Sequence, residues 1–117
     1  LFSYIKNRKL ESKGNSITEG IGTGRITKNF EKAIIDEAYQ IDDVEALKIV
    51  YELMESQNIM LGGSSGINIA GAVKLAQKLG KGKTIVTILC DDGRRYTSKI
   101  FNKEFLKSKN LPIPKWL

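Results

Sequence analysis

The chain has 117 residues, a net charge of +6 at pH 7, 41% hydrophobic residues, one cysteine and no histidine. This composition is typical of a globular domain, and no apolar run approaches the roughly 20 residues that cross a bilayer, so we expect a cytoplasmic protein without a membrane partner. Without histidine, His-based metal sites and Ser-His-Asp or Cys-His catalysis are excluded within these residues, and the single Cys90 excludes an internal disulfide.

The positive charge raises nucleic-acid binding as a function class, since clustered Lys and Arg neutralise phosphates. Here the basic residues are spread along the chain, with acidic residues among or near most of them. A solvated surface is favoured and no nucleic-acid partner is expected. The alternative, a small basic nucleic-acid-binding protein, predicts an affinity that falls steeply with salt.

The first 27 residues favour irregular structure and contain the glycine series Gly20, Gly22 and Gly24. A dinucleotide loop fits this series poorly, because that fingerprint needs a glycine where Arg25 stands. Two interpretations remain open: a loop that needs positive φ, or bare backbone amides that touch a small ligand. A helical turn within residues 28–36 and a short strand over residues 37–41 follow.

The segment from residue 42 to residue 58 predicts an amphipathic helix. Asp42 or Asp43 is a suitable N-cap, and Asn58 is a suitable stop. Apolar residues recur at the spacing of one buried helix face. The predicted buried face consists of Ala46, Leu47, Val50, Leu53 and Met54.

Two glycines and two serines precede a second predicted helix over residues 65–79, which Gly80 would end at positive φ. Either Ser64 or Ser65 caps this helix, or the junction is a site that donates hydrogen bonds to a phosphate or a ring nitrogen. Both interpretations stay open on pattern alone. The predicted inward stripe consists of Ile69, Ala72, Val73, Ala76 and Leu79, with Lys74, Gln77 and Lys78 facing water.

The β-branched run over residues 84–89 predicts a strand of a parallel sheet that is covered on both faces. Ligands gather beyond the carboxyl ends of such strands, where residues 90–96 follow. Asp91 and Asp92 are interpreted as turn residues rather than as a catalytic pair, and Cys90 as a buried small hydrophobe. One or two short helices over residues 97–109 and an extended tail with Pro112 and Pro114 complete the chain.

Three ordered motifs resemble the C-terminal part of the cysteine synthases, pyridoxal-phosphate enzymes of fold type II that include the cystathionine β-synthases. They are SITEGIGTGRITKNFE, LGGSSGINIAGAVKLAQ and TIVTILCDDGRRYTSKIFN. The resemblance implies an α/β fold, as part of a three-layer α/β/α domain with a mainly parallel sheet. Residues 1–117 would then be the C-terminal portion of a tryptophan synthase β-like catalytic domain, with no second domain.

The same resemblance implies site residues. The first serine of the family's G-[GI]-S-[SA]-G turn, which binds the pyridine nitrogen of pyridoxal 5'-phosphate, falls on Ser64. The family's Gly-Ile-Gly loop at the amino-acid substrate falls on Gly20, Ile21 and Gly22. Arg95 and Tyr96 match the family's strand-end turn, whereas Cys90 and Asp92 depart from it, so neither is assigned a contact with the cofactor.

The family's Schiff-base lysine, its substrate-binding Ser/Thr-Gly-Asn loop and its phosphate cup match nothing in this chain. We therefore assign no catalytic residue and expect these residues alone to be inactive. The family reaction is β-replacement, which converts O-acetylserine and sulfide to cysteine and acetate; serine and homocysteine are the alternative substrates.

The resemblance also implies partners, namely an amino-acid substrate, the remainder of the enzyme chain or a complementary fragment, and a second subunit, because family members are commonly dimers. A fragment or split-gene product would expose strand edges and self-associate. A non-catalytic remnant or partner-binding module of the same fold is the alternative function.

Overall fold

The computed structural model describes residues 1–11, 15–22 and 24–117, and it divides the chain into two compact units, Leu1–Gln40 and Ile41–Leu117. The first unit contains helix α1 (Phe2–Asn7) and helix α2 (Lys28–Glu31). The second contains α3 (Asp43–Gln57), α4 (Gly63–Leu79), a 3-10 helix (Gly93–Tyr96) and α5 (Lys103–Ser108). No helix in the described ranges is long and apolar enough to cross a membrane.

The first unit confirms the helical turn but not the strand expected after it. Thr27 caps α2 by accepting a hydrogen bond from the Phe30 amide over 3.3 Å. The Tyr4 and Phe30 rings pack with their centroids 6.1 Å apart. Residues 37–41 form no strand, because no neighbouring segment of the described chain supplies a ladder for them.

Helix α3 forms as the sequence predicts. The Asp42 carboxylate accepts a 2.8 Å hydrogen bond from the Glu45 amide, and Asn58 ends the helix in the left-handed conformation at φ 56°. Both signals are local, so they act whatever the rest of the chain does. The fully buried residues of α3 are Ala46, Leu47, Val50 and Tyr51, with Leu53 and Met54 half-buried.

Helix α4 begins at Gly63, two positions before the predicted start, and neither serine caps it. Gly62 is the N-cap and makes no side-chain capping bond. Ser64 and Ser65 therefore lie inside the first turn. The early start follows from a close approach to α3, since a Cβ added to Gly66 would meet the Ala46 carbonyl oxygen.

The prediction of the inward stripe of α4 is wrong over most of its length, because most of its residues are not buried. Buried α4 residues are confined to positions 63–66 and 70, whereas Val73 and Leu79 are 45% and 46% exposed. In the described chain, α3 covers only the first turns of α4. Lys74, expected to face water, instead pairs with Glu45 on α3 over 2.9 Å, and Gly80 has the expected positive φ of 76°.

The strand predicted over residues 84–89 is absent from the described chain, so the parallel sheet is not confirmed. A parallel ladder needs a neighbouring strand about 4.8 Å away, and the one bridge among the described residues joins Leu61 to Asp92 in antiparallel fashion. Val86 and Ile88 are accordingly 89% and 70% exposed. Cys90, expected to be buried, is exposed for the same reason, since no layer covers this run.

The C-terminal residues pack onto α3 through aromatic rings. Asn102 caps α5 by accepting a 2.9 Å hydrogen bond from the Phe105 amide. The Trp116 ring meets the Tyr51 ring edge-on, with centroids 5.7 Å apart. These contacts, with the fully buried Leu106, extend the core of the second unit from α3 to the tail.

Candidate functional site

Backbone hydrogen bonds join the junction before α4 to the turn that follows the apolar run. The Gly62 amide donates to the Asp91 carbonyl oxygen over 2.9 Å, and the Gly93 amide donates to the Met60 carbonyl oxygen over 2.9 Å. The two bonds place residues 91–93 beside the N-terminal end of α4. Two segments that are about thirty residues apart in sequence thereby form one site.

Two glycines permit this close approach. A Cβ added to Gly62 would lie 2.6 Å from Cε2 of Tyr96, and one added to Gly93 would lie 2.9 Å from the backbone N and O of Leu61. Such distances are shorter than van der Waals contact. Both positions are therefore restricted to glycine by space.

Two side chains of α4 hold the residues just before this turn. The Ser65 hydroxyl oxygen accepts a 2.9 Å hydrogen bond from the Cys90 amide, and Ser65 is fully buried. Asn68 donates from Nδ2 to the Ile88 carbonyl oxygen over 2.9 Å and to Cys90 Sγ over 3.4 Å. The end of the apolar run is thus attached to α4 by side chains instead of by a strand ladder.

The adjacent carboxylates Asp91 and Asp92 bind different partners, as the turn interpretation predicts. Asp91 accepts from the Tyr96 hydroxyl over 2.5 Å and from Arg95 Nη1 over 3.2 Å. Asp92 accepts from Arg94, whose side-chain and backbone hydrogen bonds lower the pKa of the Asp92 carboxyl to about 2. The two carboxylates are committed to different neighbours, so they do not form an acid and base pair.

Within the part of the chain that the structure describes, the Ser64 side chain has unused hydrogen-bonding capacity. Its side chain is 8% exposed, and its hydroxyl has no hydrogen-bond partner within the described residues. It lies in the first turn of a long helix, where the backbone N–H groups lack intrahelical acceptors and the dipole favours electron-rich atoms. No side-chain oxygen or nitrogen of the described residues is both buried and unpartnered, so the Ser64 hydroxyl keeps access to the surface and can bind a ligand there. The position suits an acceptor such as a neutral ring nitrogen.

The other predicted site residues, Gly20, Ile21 and Gly22, lie in the first unit and are exposed. Gly20 and Gly22 have φ of 78° and 70°, so the predicted need for positive φ is confirmed. A Cβ at either position would meet nothing within 4 Å. Conformation alone therefore explains these glycines, and their contact with a substrate stays a prediction.

The sequence did not lead us to predict that Ser65 and Asn68 bind the segment before the turn. A signal was present, because Asn68 lies four positions after Ser64 and three after Ser65, within the otherwise apolar stretch of residues 66–73. Residues at that spacing share one face. A polar side chain on the face of α4 that packs against another segment predicts a hydrogen-bond partner on that segment.

Comparisons with known proteins identify the family to which the chain is similar. A family model described as pyridoxal-phosphate dependent enzyme matches residues 2–91. The chain is 42% identical to cysteine synthase 1 of Emericella nidulans over 123 residues, which is 100% of this chain and 33% of the relative. It is 45% identical to a cysteine synthase of Dictyostelium discoideum over 98 residues, 84% of this chain and 26% of the relative.

A third relative is the O-acetylserine dependent cystathionine beta-synthase of Bacillus subtilis. The identity is 38% over 82 residues, which cover 70% of this chain and 27% of the relative. The chain therefore spans about a third or less of the length of these curated relatives.

Proposed function

Because the chain belongs to the family of pyridoxal-phosphate dependent enzymes, we propose that it is the C-terminal portion of the catalytic domain of a cysteine synthase. In this role the Ser64 hydroxyl binds the pyridine nitrogen of the cofactor. The observation that carries the proposal is the Ser64 hydroxyl, which belongs to a largely buried residue in the first turn of α4 and has no partner within the described residues. The family is α/β, and the mainly parallel sheet would form when further strands pair with residues 84–89.

The residues present fit the cofactor's ring nitrogen. The Ser64 O–H can donate to it, whereas the nearby carboxylates of Asp91 and Asp92 are occupied by other partners. When bound, pyridoxal 5'-phosphate withdraws electrons from the α-carbon of an amino acid. A neutral hydroxyl keeps its own proton and leaves the ring nitrogen largely unprotonated, which weakens that withdrawal.

This weaker electron withdrawal favours β-elimination and replacement over transamination. The proposed reaction breaks the C–O bond of O-acetylserine, releases acetate and forms a C–S bond with sulfide to give cysteine. Ser64 contributes by orienting the ring and by withholding a proton from it. Gly20, Ile21 and Gly22 would bring bare backbone against the amino-acid substrate, where a side chain would obstruct it.

The Schiff-base lysine and the phosphate cup match no residue of this chain, so we propose that it does not catalyse the reaction alone. Its partners would be the remainder of the enzyme chain or a complementary fragment, and a second subunit of a homodimer. The cytoplasmic location expected from the sequence stays a prediction.

The test uses a chimaeric enzyme in which residues 1–117 replace the matching third of the Emericella nidulans cysteine synthase 1. Ser64→Ala should weaken pyridoxal-phosphate binding about tenfold, the cost of one hydrogen bond. Ser64→Asp should raise the protonation of the ring nitrogen and change the cofactor's emission spectrum. Ser56→Ala is the control, because the exposed Ser56 donates to the Glu52 carbonyl oxygen on its own helix.

If Ser64→Ala behaves like Ser56→Ala in cofactor affinity and emission, the proposed role of Ser64 is wrong. A chimaera that folds but neither binds the cofactor nor forms cysteine would favour the alternative, a non-catalytic remnant.

A further inference from the structure

We propose that Tyr96 is a positioning residue for the Ser64 hydroxyl, because its ring packs against the backbone at which helix α4 begins. The proposal rests on the proposed role of Ser64 at the cofactor. Tyr96 itself is given no contact with cofactor or substrate.

The Tyr96 ring lies against Gly62, the buried N-cap residue of α4. A Cβ built on Gly62 would lie 2.6 Å from Cε2 and 3.2 Å from Cδ2 of that ring. One edge of the ring therefore occupies the space that a side chain at position 62 would take. Glycine at this position lets the ring support the backbone directly.

Asp91 connects the ring to the same backbone. The Tyr96 hydroxyl donates to Asp91 Oδ2 over 2.5 Å, and the Asp91 carbonyl oxygen accepts from the Gly62 amide over 2.9 Å. The three residues thus form a closed set of contacts, in which the ring lies on Gly62 and both the hydroxyl and the Gly62 amide bind Asp91. Loss of the ring would loosen the backbone at Gly62.

The first turn of α4 couples Gly62 to Ser64. The Gly62 carbonyl oxygen accepts from the Ser65 amide over 3.1 Å and from the Gly66 amide over 3.4 Å. Ser64 lies inside the turn that these bonds close, where helical geometry sets the direction of its side chain. A displaced Gly62 would therefore displace the Ser64 Oγ, and a hydrogen bond weakens as its length and angle depart from the optimum.

These contacts do not depend on the pairing of the apolar run. They join the turn over residues 91–96 to the start of α4, and a strand ladder over residues 84–89 would use none of the groups involved. The Gly93 amide, which donates to the Met60 carbonyl oxygen, attaches the same turn a second time. The Tyr96 contact is therefore compatible with the sheet of the complete enzyme.

The experiment uses the chimaeric enzyme with Tyr96→Leu, made in the parent and in the Ser64→Ala background. Tyr96→Phe keeps the ring and removes only the hydroxyl. Tyr4→Leu is the matched control, because it makes the same substitution at a half-buried tyrosine of the first unit. The readouts are the pyridoxal-phosphate dissociation constant and the emission maximum of the bound cofactor.

Tyr96→Leu should weaken cofactor binding about threefold, less than Ser64→Ala does, because the hydroxyl is displaced and not removed. It should shift the emission in the direction that Ser64→Ala shifts it. Tyr96→Phe should lie between the parent and Tyr96→Leu, and Tyr4→Leu should change neither readout. In the Ser64→Ala background, Tyr96→Leu should add no further loss, because the group through which it acts is already gone.

An equal loss from Tyr96→Leu in both backgrounds would overturn the proposal, because Tyr96 would then act independently of Ser64. The proposal is also wrong if Tyr96→Leu matches Tyr4→Leu in both readouts while Ser64→Ala alters them. If Ser64→Ala alters neither readout, the proposed function fails, and this proposal with it.

A second measurement tests the contact without the cofactor. In the full 117-residue chain, Tyr96→Leu should accelerate hydrogen exchange at the Gly62 amide about tenfold, because the ring supports the bond from that amide to Asp91. Unchanged exchange at Gly62 would contradict the role of Tyr96, even if the Tyr96→Leu enzyme fails to fold.

Discussion

The hydroxyl of Tyr51 donates a 2.7 Å hydrogen bond to the carbonyl oxygen of Ile100, a residue 49 positions later in the chain. The Tyr51 ring also packs edge-on against Trp116. Through one side chain, α3 therefore holds both the segment before α5 and the C-terminal tail. Because α3 also packs against α4, this contact supports the helix that carries Ser64.

Tyr51→Phe should lower the free energy of unfolding by about 1–2 kcal/mol, since it leaves the buried Ile100 carbonyl without its donor. Urea unfolding followed by the fluorescence of Trp116, the single tryptophan, measures this change. Tyr4→Phe is the control, because the Tyr4 hydroxyl has no hydrogen-bond partner in the described residues, and it should stay within about 0.5 kcal/mol of the parent. Equal effects of the two substitutions would contradict the account.

Stability should also fall at alkaline pH. Burial raises the pKa of the Tyr51 phenol above its ordinary value, so the native state keeps the proton after the unfolded chain has lost it. The stabilisation from this group is complete below the ordinary tyrosine pKa of about 10 and is lost progressively above it. Urea unfolding at a series of pH values should show a steeper alkaline decline for the parent than for Tyr51→Phe. Parallel declines would show that the decline has another source.

The two glycines Gly66 and Gly71 on α4 should respond to alanine in opposite directions. A Cβ at Gly66 would lie 2.9 Å from Val50 Cγ2 and would also meet the Ala46 carbonyl oxygen, whereas one at Gly71 would meet nothing within 4 Å. Gly66→Ala should therefore destabilise the second unit by about 1–3 kcal/mol. Gly71→Ala should stabilise it by about 0.5–1 kcal/mol through helix propensity. Urea unfolding of both variants is the check, and a neutral Gly66→Ala would refute the close packing of α3 on α4.

Exposed apolar side chains of the 84–89 run should make the isolated chain self-associate. Val86 is 89% exposed and belongs to a β-branched segment without a ladder, which is an open edge for pairing. Val86→Lys should raise the monomer fraction in light scattering after size exclusion. Ile34→Lys replaces a side chain that is 95% exposed in the first unit, and it should change the monomer fraction little. An equal gain from both variants would indicate a general charge effect.

Local signals made α3 predictable from sequence. Its cap at Asp42, its stop at Asn58 and the period of its apolar face all act within one segment, and the structure keeps each of them. Ser64 was identified by its motif, and the structure adds that its hydroxyl has no partner within the described residues. The start of α4 was misplaced because the packing of Gly66 on α3 is a tertiary contact.

Non-local structure was not predictable in this way. The run over residues 84–89 has the composition of a buried strand, yet a strand depends on neighbours that the described chain does not provide. Cys90 and the outer face of α4 are exposed for the same reason, because the described chain does not provide the strands that would cover them. The bonds of Ser65 and Asn68 join α4 to residues 20 to 25 positions later, so the sequence marks the polar side chains but not their partners.

The most direct test of the central claim is to locate the cofactor after borohydride reduction, which fixes it covalently to the lysine that holds it. Peptide mass spectrometry would be applied to the 117-residue chain alone and to the chimaeric enzyme, each incubated with pyridoxal 5'-phosphate. The account predicts no specific attachment in the chain alone, and attachment in the chimaera to a lysine outside residues 1–117. Stoichiometric attachment to a lysine within residues 1–117 would contradict it.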